Sequence, residues 1–137
     1  MAFTANEGFQ SNAGKGSALR CVPTSNQPKT FASGSGTLAA LTAVAFNTST
    51  DQWVVWDADG TNGTNIIKGF VWPDEVVLDA GGEVLGQVVL GGRIHYDDIP
   101  IVSGSYNQTE LQDALRGDAA SDVRSLGFII EGLSEFR

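Results

Sequence analysis

The stretch Thr42-Ala43-Val44-Ala45-Phe46-Asn47-Thr48-Ser49-Thr50-Asp51-Gln52-Trp53-Val54-Val55-Trp56 decides the fold class. An apolar run leads into a cluster of Asn, Thr, Ser and Asp. A second run of β-branched and aromatic residues follows. Two runs of that kind around a polar turn predict a β-hairpin over 42–56. The wider run 37–46 begins the compact body and fits either a buried strand or a short helix, because its periodicity does not separate the two.

Outward from the hairpin, Asp57 to Gly63 reads as a polar loop. Ile66 to Trp72 reads as a strand ended by Pro73, and Glu83 to Leu90 as another. Gly91-Gly92 then suggests a turn. In Arg93 to Asp97, Ile94 and Tyr96 alternate with Arg93, His95 and Asp97, the pattern of a half-exposed strand. Asn107 with Glu110 three residues on has capping-box spacing, Leu111 and Leu115 lie one turn apart, and Gly117 stops the helix. A second short helix is expected over Asp118–Leu126, and a last strand over Phe128–Ile130. The expected class is mainly β (α+β), with short C-terminal helices.

Hydrophobic residues form 42% of the 137, enough for one core and one domain. Residues 37–137 form that domain. Residues 1–36 differ: twenty are Gly, Ser, Thr, Asn, Gln or Pro, with single apolar residues between them. No period of 2 or 3.6 persists there, so an extended N-terminal arm that orders on a partner is expected. Its candidate contacts are Phe3, Phe9, Lys15, Arg20 and Phe31.

Charge divides at the same place. The arm carries Lys15, Arg20 and Lys29 against Glu7, while residues 37–137 carry a net charge of −10. An acidic body repels phosphate, so nucleic-acid binding is not expected. One cysteine, Cys21, excludes an intrachain disulfide. No 18-residue apolar run and no basic-then-apolar leader are present. No membrane span is therefore expected, and synthesis in the cytoplasm is.

Motifs for chemistry are incomplete. Asp57 and Asp59 match the first ligand positions of a calcium loop, but Asn62 stands at its glycine and Lys68 at its final glutamate. His95 has no G-x-S-x-G partner, and one His with one Cys cannot complete a zinc site. Asp74-Glu75, Asp97-Asp98 and Glu131 with Glu135 offer acids in turn or terminal contexts, where solvated charge is the default. Gly14-Lys15-Gly16 lacks the strand and helix of a phosphate loop. No enzyme activity, metal or cofactor is expected. Trp53 and Trp56 point to opposite faces of a strand, so one can serve an interface unless both are covered by layers. Trp53, Trp56, Trp72 and Tyr96 are the candidate trimer or coat contacts.

Four stretches, in order, resemble the head decoration proteins of lambda-type tailed phages. They are Thr37–Phe46 with its polar turn, Trp53–Asp57 leading into Gly60–Gly63, Ile67–Val71, and Gly92-Arg93-Ile94-His95-Tyr96-Asp97-Asp98-Ile99. Ala119–Asp122 and Phe128–Ile130 resemble the family's closing helix and strand. The helix at Asn107–Arg116 and the length of the arm depart from the family pattern. The resemblance implies a β-clip-like antiparallel fold and a homotrimer on the outside of the virion. It also implies binding to the major capsid protein of the expanded head. The competing expectation is a carbohydrate- or receptor-binding module of a virion surface. A small trimeric β-clip enzyme is a third, and it lacks its motifs.

Overall fold

The computed structural model describes residues 20–116, 123 and 126–133. The hairpin forms as the turn chemistry directs. Strands β3 (Ala43–Asn47) and β4 (Gln52–Val55) pair antiparallel from Val44↔Val55 to Asn47↔Gln52. Asn47 closes the turn twice: its side chain accepts from the Ser49 amide at 2.9 Å, and its carbonyl accepts from Asp51.

Strand β5 (Gly69–Val71) pairs with β3, and with the long strand β7 (Val84–His95) on its other side. The expected strand over Ile66–Trp72 is thus shorter than read. The first strand, β1 (Cys21–Phe31), runs antiparallel to β7 in ten residue pairs, from Cys21↔Ile94 to Phe31↔Val84. At its far end Phe31 meets Trp53 in a parallel bridge to β4. Strands β1-β4-β3-β5-β7 therefore close on themselves as a small barrel. Strand β8 (Phe128–Glu131) adds to β7 in parallel, outside the ring. A two-stranded piece, β2 (Thr37–Leu38) with β6 (Val76–Val77), caps one end. The mainly-β class holds, but two parallel pairings make the sheet mixed rather than wholly antiparallel.

Two cores lie on opposite sides of the central strands. Phe31, Leu38, Val44, Val71, Val76 and Val88 fill the inside of the ring. The larger core packs Ala43, Ala45, Phe70, Val89 and Trp56 against Leu111, Ala114 and Leu115 of helix α1 (Gln108–Leu115) and against Phe128 and Ile130. The alternation within β3 explains the split: Val44 points inward, while Ala43 and Ala45 point to the helix layer. Helix α1 starts where the capping box placed it. Asn107 Oδ1 accepts from the Glu110 amide at 2.8 Å, and Glu110 Oε1 accepts from the Asn107 amide at 2.9 Å.

Two expectations, the arm and the glycine turn, are corrected here. Residues 21–36 do not belong to a separate arm: β1 is an integral strand, and Phe31, proposed as an arm contact, is fully buried in the ring. The hydrophobic pattern missed β1 because most of its residues are exposed on both faces and hydrogen bonding to β7 holds it. Phe3, Phe9 and Lys15 lie outside the described residues. Gly91-Gly92 does not end a strand; it lies within β7 opposite Pro23 to Ser25, where the register shifts. Thr24 and Leu90 have no opposite number there, so Val89 and Ile94, five residues apart, both face the larger core. Gly92 has φ +139°, and a Cβ on it would collide with the Val22 carbonyl oxygen, which is why glycine is needed. The expected helix over 118–126 falls mainly outside the described residues.

Candidate functional site

Beyond the bulge, β1, β7 and β8 form a three-stranded sheet with one covered face. Cys21, Ile94, Phe128 and Ile130 point into the larger core. The neighbours between them must then point outward. Register gives two rows on that open face. Val22, Arg93 and Ile129 stand opposite one another in the first. Arg20, His95 and Glu131 make the second, joined by the His95 amide donating to the Arg20 carbonyl at 3.2 Å. Val22 is 63% exposed and Ile129 50%, both high for aliphatic side chains. Arg93 Nη1 donates to Glu131 Oε2 at 2.8 Å across the face.

Arg20 is held at the edge of this face by Asp98, in the 3-10 turn Tyr96–Asp98 that follows β7. Asp98 Oδ2 accepts from the Arg20 amide at 2.8 Å and from Nε at 3.0 Å, and Oδ1 accepts from Nη2 at 3.0 Å. These hydrogen bonds from the guanidinium hold the Asp98 carboxyl below its ordinary range. Asp98 carries no weight in the sequence, because 78 residues separate it from Arg20.

The remaining candidates are dispersed. His95 Nδ1 accepts from the Asp97 amide at 3.2 Å and so caps the turn. The Asp97 carboxylate is 3.8 Å from that nitrogen, a surface pair rather than part of a triad. Trp53 is half-buried on the inner core, edge-on to Phe46 and with the Lys29 ammonium 5.5 Å above its ring. Trp72 and Tyr96 are half-buried against the larger core. Trp56, named as an interface candidate, is instead 1% exposed and packs on Tyr106 with ring centroids 4.9 Å apart. The sheet is covered on both sides here, so opposite-facing tryptophans are both shielded.

Three groups that could do chemistry, Cys21, Tyr106 and Asp57, are bonded locally or shifted away from reactivity. Burial pushes the Cys21 thiol up to about 11, leaving little thiolate at neutral pH. Burial pushes Tyr106 up to about 12, and its hydroxyl is bonded to the Pro100 carbonyl at 2.7 Å. Asp57 spends a carboxylate oxygen on the Asp59 amide, the local turn that the Gly/Asn/Asp composition suggests. An open depression of about 390 Å³ lies beside Asp59, Ser103, Ser105 and Tyr106, but the Asn107 and Glu110 side chains on its rim are engaged in the helix cap. Among the described residues no three His, Cys, Asp or Glu side chains converge on a metal position, and no helix is long and apolar enough to cross a membrane. No protein-family model matches the chain, and no curated protein sequence matches it.

Proposed function

We propose that this protein is a capsid decoration protein. It would bind the expanded head of a tailed phage as a homotrimer and stabilise it against internal DNA pressure, without catalysis or cofactor. The finer fold assignment, a β-clip, belongs to this proposal, as do the virion location and the major capsid protein as partner. The observation that carries it is the open face of β1, β7 and β8. Aliphatic Val22 and Ile129 stand there beside paired Arg20, Arg93 and Glu131, a mix that suits protein contact better than a small-molecule site. The four stretches that resemble the decoration family also lie in order through one continuous β body.

Because β1 belongs to the body and Arg20 is held beside it, the proposed contact segment is the part of residues 1–36 that precedes Arg20. Nineteen extended residues reach about 60 Å, enough to cross to a neighbouring coat subunit. Phe3, Phe9 and Lys15 are its proposed anchors. One such segment binds weakly, because ordering it costs entropy. Three on one trimer gain roughly 10²–10⁴-fold by effective concentration. Binding to the expanded lattice alone stabilises that lattice by mass action. Deleting residues 1–19 and measuring mass and binding to expanded heads tests this. A trimer that no longer binds is the expected result. Full binding without the segment, or glycan binding by the intact protein in place of head binding, would overturn it.

A further inference from the structure

We infer that the Arg20–Asp98 contact is a latch: it pins the start of β1 to the turn that follows β7, and the bulge around Thr24 limits how far β1 peels when the latch opens. This stands on the geometry of β1 and does not require the proposed function. One carboxylate holds the main chain and the side chain of a single residue through three hydrogen bonds. Neutralising or removing it therefore releases all three together. The burial is asymmetric: the Asp98 side chain is 11% exposed and that of Arg20 57%. The acid is thus a fixed post and the arginine the part that can swing away.

Besides the latch, the first residues of β1 are tied by three pairs with β7, Cys21↔Ile94 to Pro23↔Gly92, and by the His95 amide on the Arg20 carbonyl. Val22 and Pro23 are exposed, and proline contributes no N–H to any ladder. Only Cys21 packs on the larger core. The register shifts twice, between Pro23 and Ser25 and between Ser25 and Asn26; from Asn26↔Val89 the ladder runs unbroken to the buried Phe31. This irregular stretch separates a short piece, Arg20 and the first three residues of β1, that buries no side chain fully, from a longer one, 26–31, that ends on buried Phe31. Opening the latch would release these four residues, about 13 Å of chain, from the sheet edge. Other charges around the latch are His95, Asp97, Glu131 and Arg93. Asp97 and Glu131 also attract Arg20, but neither accepts its main-chain amide.

Limited trypsin digestion and amide hydrogen exchange on the full chain provide the test, since trypsin cuts after Arg20. In Asp98→Ala, cleavage after Arg20 should accelerate about tenfold or more, the scale of losing charge-assisted hydrogen bonds. Exchange at Cys21 and Val22 should quicken by a similar factor. Cleavage after Lys29 and Arg93, and exchange from Gln27 to Phe31, should stay as in the parent protein. Unchanged protection at 20–23 would overturn the latch. Protection lost evenly from Cys21 to Phe31 would overturn the stop at the bulge. If Asp98→Ala loses the whole sheet, Arg20→Gln decides by exchange alone. It keeps the main-chain bond and removes the fork, so opening of Cys21 smaller than tenfold is expected, and no change at all would reject the latch.

Discussion

Strands β1 and β3 belong to the same sheet but are held by opposite means. Strand β3 has five residues, three of them buried, and each of those three side chains is committed to one of two cores. Sliding it by one residue would put Val44 into the helix layer and Ala43 into the ring. Strand β1 has eleven residues and a single buried one, Phe31. Its position comes from ten pairings with β7, one buried ring at the far end and one ion pair at the near end. Burial makes a strand intolerant of substitution along its whole length. A ladder with two fixed ends concentrates that intolerance at the ends.

The largest effect should separate those ends. Phe31→Ala empties the ring beside Val44, Val71 and Val88 and should cost about 3–5 kcal/mol in denaturant unfolding. Val22→Ala at the exposed end should stay within about 0.5 kcal/mol. Equal losses at the two sites would erase the contrast. Next comes the bulge. Gly92→Ala forces a Cβ against the Val22 carbonyl at a positive φ, and should cost about 1–3 kcal/mol. Exchange should then quicken around Val22 and Pro23 before it does in β3. A uniform loss would show that the bulge is not where the strand divides.

The smallest effect is acid sensitivity. The Asp98 carboxyl is lowered in the folded protein, so its contribution is complete above the ordinary aspartate range. It is lost as pH falls through its own, lower titration point. Exchange-competent opening of Cys21 should therefore rise at acid pH while the β3–β4 hairpin stays protected. Opening that rises toward alkaline pH instead would contradict the sign.

Legibility followed the same contrast. The hairpin over 42–56, the capping box at Asn107 and Glu110, and the last strand at Phe128 announce themselves through local chemistry, and all are present. Strand β1 resembles part of an arm in sequence because nothing in Val22-Pro23-Thr24-Ser25-Asn26-Gln27-Pro28 repeats with period 2. A strand exposed on both faces leaves no hydrophobic trace. Gly91-Gly92 misled for a related reason: a glycine pair marks unusual backbone, and a bulge needs it as much as a turn does. Trp53 and Trp56 do point to different sides, but two cores await them rather than one core and solvent. The open face was not legible, because its rows join residues from three distant segments.

Two prolines of β1 have a further consequence. Among the described residues only Phe31 of this strand meets a second neighbour on the side away from β7. A long strand with one unpaired side is a template on which identical chains can stack, growing into fibrils at high concentration. Pro23 and Pro28 interrupt that side twice, since a ring nitrogen offers no hydrogen to an incoming chain. The protein can therefore accumulate to high local concentration without its first strand seeding aggregation, a protection written into its least ordered-looking stretch of sequence.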